Sequence, residues 1–235
     1  MVRQHTLVYH SLGFLSAGVF LLCLYGLVCQ IREILRRMPA CRGGETYRTR
    51  SLSRSYFLSS FYAFFAVFMH SALLTPPDFY LVLTRLLAMV LVLTIIIFIA
   101  YDRRTLKDAV ALGTAGLLLV LGLGLLLLGG RAPFIVGAAG PTNILVVTPI
   151  ITVGNIRQIS LIEKLGEAGA VSMRMHILYL VKDITLCMFA IAMGLAAGWP
   201  ILFFGICDGT CKAFLIMSLL RHAKPLCINV YETHN

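Results

Sequence analysis

Charge is scarce in this chain. Asp, Glu, Lys and Arg make up 13% of its 235 residues, about half the share found in soluble domains. Such a low figure, with 59% hydrophobic residues and a mean hydropathy of +0.90, excludes an ordinary soluble globular domain. Carboxylates are scarcest: 10 Asp and Glu stand against 20 Lys and Arg, for a net charge of +10. There is one Trp. No CxxC pair occurs, and the His residues fall at no metal-ligand spacing, so nothing points to a metal site. No phosphate-binding glycine loop, HExxH helix or nucleophile elbow is present; no catalytic residue and no enzymatic activity are expected. No N-glycosylation sequon occurs. The seven cysteines (Cys23, Cys29, Cys41, Cys187, Cys207, Cys211 and Cys227) read as small core hydrophobes.

What is present is long apolar runs. About 20 apolar residues cross a hydrocarbon core of about 30 Å, and seven stretches qualify: 9–30, 54–75, 79–100, 108–129, 141–161, 174–196 and 200–221. The expected fold is all-α, a single polytopic transmembrane domain over 1–235 in an unidentified membrane. The first run shows no small-residue cleavage site and reads as a retained helix.

The cations sort by loop. The segment 31–54 holds Arg32, Arg36, Arg37, Arg42, Arg48, Arg50 and Arg54; the turn 101–108 holds Arg103, Arg104 and Lys107. Arg157, Lys164 and Arg174 surround the fifth-to-sixth connection, and Arg221 and Lys224 follow the seventh span. The alternate connections carry almost none. This pattern sets a topology, not a nucleic-acid surface: N-terminus outside or lumenal, C-terminus cytoplasmic. The basic 31–54 loop could also hold anionic lipid headgroups, or serve only as the topology signal.

The first and last three spans can be superposed, giving halves 9–100 and 141–221 and a 3+1+3 plan. Gln30-Ile31-Arg32-Glu33-Ile34 matches Asn155-Ile156-Arg157-Gln158-Ile159, Arg54 matches Arg174, and Pro77 matches Pro200. The fourth span, whose run 113–130 has Thr114 as its one polar residue, reads as a lipid-facing connector that packs through small residues. Transporters built from parallel repeats place their site near the midplane, between the halves.

Five charges lie deep within spans, away from their ends: Arg85, Lys182, Asp183, Asp208 and Lys212. A charge at bilayer depth costs roughly 2.5–3.5 kcal/mol on insertion scales and marks function by default. Asp208 and Lys212, four residues apart, share a helix face. The repeat puts Arg85 and Asp208 at matching depths, so those two are expected to pair. The five form a candidate site for a solute, an ion or a proton; the alternative is a set of closed ion pairs that fixes helix register. His70 and His176 read as boundary residues.

Three resemblances follow from particular residues. Gln158, Lys164, Gly166-Glu167-Ala168 and Ser172 resemble the connection of the PQ-loop family, which includes the SWEET transporters and KDEL receptors. Here Arg157 and Cys29 replace that family's proline before Gln158 and Gln30. The likeness implies alternating access, with Arg85 and Asp208 where SWEET proteins hold polar residues at the sugar, which argues against a neutral sugar. Asp208, Lys212 and Arg221 resemble the last helix of microbial rhodopsins, where the lysine binds retinal; retinal is the one cofactor any reading implies, and only under this one. The retinal pocket of that family is Trp-rich, which this chain is not. Asp183, Asp208 and the run Leu178-Tyr179-Leu180-Val181-Lys182-Asp183-Ile184 resemble Bax-inhibitor-like proteins and their herpesviral seven-helix relatives. That likeness implies a calcium leak or a cell-death modulator gated by the aspartate pair. Asp102-Arg103 after the third span is similar to a G-protein-coupled receptor, but the seventh-helix Asn-Pro signature is missing.

Overall fold

The computed structural model describes residues 7–36, 49–72, 79–127, 133–192 and 195–222. These form seven helices and, among the described residues, no strand: α1 (Leu7–Arg36), α2 (Arg54–Ala72), α3 (Phe79–Arg103), α4 (Leu106–Leu127), α5 (Pro133–Leu165), α6 (Met173–Ala192) and α7 (Leu195–His222). Six contain segments long and apolar enough to cross a bilayer, the architecture of an integral, multi-pass membrane protein. Among the described residues α2 offers no such segment, its side chains being described without a break over 54–69 only. Protein surrounds α2: Tyr56, Phe57, Phe61, Phe64 and Phe68 are all buried, as are Ser59 and Ala63 on its other faces.

Several boundaries differ from the sequence expectation. Helix α1 runs on to Arg36, α5 starts at Pro133, and α7 starts at Leu195, so Pro200 lies inside its helix. Pro77 and most of the basic 31–54 loop fall outside the described residues.

The main helix contacts trace a ring. Helix α1 packs on α3, α3 on α2, α2 on α5, α5 on α7, α7 on α6, and α6 back on α1. Helix α4 lies against α2 and α3. There the rings of Phe65 and Phe68 come so close to Gly122 that a Cβ would stand 3.0 and 3.1 Å from them. The side of α4 away from α2 and α3 bares Leu117, Val120 and Leu121, as a lipid-facing helix does.

Polar contacts gather the basic segments at one end of the bundle. Asp102 accepts from the backbone and hydroxyl of Thr49 at 2.8 and 2.9 Å, and Arg103 donates to the carbonyls of Thr49 and Leu52. Arg54 pairs with Asp108 at 2.8 Å, and Glu163 meets Ser218 and His222 at 2.7 and 3.0 Å.

Two fully buried glutamines close this end. Gln30 of α1 donates from Nε2 to the Ala170 carbonyl (2.5 Å) and accepts at Oε1 from the Ser172 amide (2.7 Å). Gln158 of α5 donates to the Ser51 carbonyl (2.7 Å) and accepts from the Ser53 amide (2.6 Å). Each therefore holds the strand of backbone that leads into a helix across the ring: Ser172 precedes α6 and Ser53 precedes α2. Both serines sit at the N-cap, with hydroxyls facing the Met175 and Tyr56 amides. The two held segments also touch, the Ala170 amide donating to Ser51 Oγ at 2.7 Å.

This meeting point demands glycine. Gly169 has φ +56°, and a Cβ there would stand 2.2 Å from Ser51 Oγ; Gly166 has φ +63° but open space around it. Gly166→Ala should cost only the left-handed strain of about 1–2 kcal/mol. Gly169→Ala should cost more, because it also expels the Ser51 hydroxyl from its bond to Ala170. Melting temperatures of the two variants test this: equal losses would mean the Ser51 contact contributes nothing.

Candidate functional site

Helices α5, α6 and α7 bring polar side chains together where their apolar sequences leave no competing solvent. The spacing of Asp208 and Lys212 on α7 does what a four-residue separation dictates: Lys212 Nζ lies 2.9 Å from Asp208 Oδ1. Asn155 of α5 completes a closed triangle. Its Nδ2 donates to Asp208 Oδ1 and its Oδ1 accepts from Lys212 Nζ, each at 2.8 Å. All three side chains are fully buried. The rings of Tyr56 and Tyr179 flank the ammonium, with centroids 4.9 and 5.5 Å away.

Lys182 and Asp183 arrive from α6. Lys182 Nζ stands 2.6 Å from Asp183 Oδ1 and 3.6 Å from Asp208 Oδ2, so one ammonium serves carboxylates on two helices. Close approach of α6 and α7 makes this possible. A Cβ on Gly209 would touch Asp183 Cβ at 3.4 Å, and one on Gly205 would meet Cys187 Sγ at 2.7 Å. Two lysines and two aspartates thus form a balanced cluster, which relieves much of the cost of burying any one of them.

The cluster is unevenly satisfied. Asp208 has Lys212, Asn155 and Lys182. Among the described residues neither oxygen of Asp183 takes a hydrogen bond, so its link to Lys182 is an ion pair without hydrogen-bond geometry. Tyr179 Oη and His176 Nε2 are buried nearby without a hydrogen-bond partner among the described residues. Such groups are rare in folded proteins and ask for an explanation.

Arg85 does not join this cluster. Its guanidinium stacks on Phe20 of α1, 3.4 Å from the ring centroid, while Asp208 takes its ion pairs from Lys182 and Lys212. The expected pairing of Arg85 with Asp208 is therefore incorrect. Matching depth does not bring side chains together when α3 lies between α1 and α2, and α7 between α5 and α6. Aromatic rings fill the interval: Phe20 meets Phe64 edge-on at 5.8 Å, and Phe64 meets Tyr179 at 6.4 Å.

His176 does lie in the first turn of α6, near the end of its span. It is fully buried, with Nδ1 3.5 Å from the Tyr56 hydroxyl. The side chain of His70 lies outside the described part of the structure. Cys23 behaves as a core residue and points its thiol at the Leu178 carbonyl. Cys29, Cys187, Cys207 and Cys211 are half-buried free thiols, while Cys41 and Cys227 fall outside the described residues.

Sequence reasoning missed Asn155, Tyr56 and Tyr179. Tyr179 could have been found, since it lies four residues before Asp183 and shares its helix face. Nothing local marks Asn155 or Tyr56, which reach the cluster only through helix packing. Among the described residues no group of three or more His, Cys, Asp or Glu could hold a metal ion. Comparison with protein-family models, with characterised proteins and with solved structures gives no match.

Proposed function

We propose that this membrane protein passes or senses a small solute or ion through the polar cluster of Lys182, Asp183, Asp208 and Lys212, with Arg85 set apart on the far side of an aromatic layer. The observation that carries this reading is the uneven satisfaction of the cluster. A purely structural ion-pair set would be closed on every side, as Asp208 and Lys212 are with Asn155. Asp183 and Tyr179, one turn apart on α6, and His176 a turn before Tyr179, leave hydrogen-bonding capacity unused among the described residues.

On this reading the chain is a 3+1+3 assembly, N-terminus outside or lumenal and C-terminus cytoplasmic, with α4 as connector. The order of helix contacts supports it. Carrying α1, α2 and α3 onto α5, α6 and α7 turns each contact of the ring into another contact of the ring. The glutamines support it too, since Gln30 and Gln158 hold equivalent segments across the two halves. Their equivalence lies one helical turn from the five-residue match that set Gln30 on Asn155. Rocking of the halves would then expose the cluster to each side alternately.

A second reading has one observation in its favour. Asp183 and Asp208, on the last two helices, converge on the same ammonium, as a gating aspartate pair of the Bax-inhibitor type would require. Nothing around Lys212 favours retinal, since its amine already bonds Asp208 and Asn155.

Flux in reconstituted vesicles tests the proposal. Asp183→Asn keeps the shape and removes the charge, and should reduce movement of the carried species at least tenfold while leaving the fold intact. Calcium movement sensitive to Asp183 and Asp208 together would select the second reading. Flux unaffected by Asp183→Asn would overturn both.

A further inference from the structure

Lys182 differs from every other member of the cluster. Its side chain is 11% exposed, against 0–1% for Asp183, Asp208 and Lys212. Its principal partner is the next residue along the helix. Adjacent residues on a helix point in different directions and do not face each other, so the lysine stem must curl back to reach Asp183. That geometry ties up a long flexible chain for a contact without hydrogen-bond geometry. The surroundings of its Nζ are nonetheless those of a cation site: carboxylates at 2.6 and 3.6 Å, and the rings of Tyr179 and Phe204 with centroids at 5.5 and 5.8 Å. Aromatic faces and paired carboxylates are how proteins recognise ammonium groups. Lys212 makes a useful contrast, because Asn155 and Asp208 lock it at hydrogen-bond distance on an unexposed site.

We propose that Lys182 is a tethered, displaceable occupant of a site for a small primary ammonium compound. When the lysine arm swings away, Asp183 loses its one ion-pair partner among the described residues and Asp208 keeps Lys212 and Asn155. The position it leaves holds one uncompensated negative charge between two aromatic faces. An incoming ammonium replaces the charge and brings its own N–H donors, with the Tyr179 ring on one side of it. A divalent metal ion suits the place less well, since aromatic rings supply no oxygen ligands and hard cations take six or more. The inference rests on the proposed role of the cluster in handling a solute, and it names that solute's chemistry.

Chemical rescue tests it. Full-length Lys182→Ala protein in detergent should melt below the wild type. Methylammonium should restore the loss saturably, with a rise on the order of 5 °C well above its dissociation constant. Tetramethylammonium, which has no N–H to donate, should not. Wild type should shift far less, because its own lysine competes. Lys182→Ala/Asp183→Asn should show no rescue, since no charge is left to compensate. If Lys182→Ala does not fold, Lys182→Gln, which keeps most of the volume and no charge, carries the same comparison. Rescue by calcium or sodium in place of methylammonium overturns the proposal, as does rescue by none. Rescue seen in protein that moves nothing across vesicles upholds the ammonium site and removes only the transport reading, so the two fail separately.

Discussion

Lys212→Met should destabilise the protein by about 3–5 kcal/mol, the usual cost of breaking a buried ion pair from one side. The loss follows from what remains. Asp208 stays fully buried with its nearest ammonium removed, Asn155 Oδ1 loses its donor, and Lys182, 3.6 Å away, must serve two carboxylates. Adding Asp208→Leu should recover a large part of the loss, because the stranded charge goes with it. Adding Asn155→Leu as a third change should recover more, since an amide stripped of both partners costs about 1–3 kcal/mol. Unfolding of the single, double and triple variants in detergent gives the series. A Lys212→Met protein as stable as wild type would mean that the triangle of Lys212, Asp208 and Asn155 holds nothing together. The triple variant also separates two roles. If it folds and still supports flux, the triangle fixes helix register; if it folds and flux is lost, the triangle belongs to the path.

The sequence made some of this legible and left some hidden, for physical reasons. A charge within an apolar run is visible at any position, so Lys182, Asp183, Asp208 and Lys212 stood out at once. Residues on one helix could be paired by spacing, and Asp208 with Lys212 followed. Contacts between helices depend on the azimuth at which each helix meets its neighbours, which a hydropathy pattern in a lipid-facing chain barely encodes. That is why Arg85 shares a depth with Asp208 in the sequence repeat and yet lies over Phe20. It is also why Asn155, one of three amides in a long apolar helix, gives no sign of its place between Lys212 and Asp208. Helix α2 shows the converse. Its length marks a span, yet Tyr56, Ser59 and Ser60 lie buried in it, because its neighbours are protein on nearly every side.

Gln30→Leu should cost about 2–4 kcal/mol, because it strands the Ala170 carbonyl and the Ser172 amide, each at about 1–3 kcal/mol when buried without a partner. Gln158→Leu strands the Ser51 carbonyl and the Ser53 amide in the same way, yet its effect should be smaller. Asp102 and Arg103 hold the backbone at Thr49 and Leu52 independently, so the segment entering α2 keeps a second anchor. Among the described residues, the side-chain contacts that hold the 168–172 backbone come from Gln30 and Ser51. Amide hydrogen exchange should therefore quicken more at 168–172 in Gln30→Leu than at 51–53 in Gln158→Leu. The two segments share the bond from Ala170 to Ser51, so the double variant should lose less than the two single losses added together, the mark of sites in direct contact. Strict additivity would mean that the halves are held separately at this end. In that case loosening one glutamine could not release the other, and a coordinated opening of the basic end would lose its physical basis.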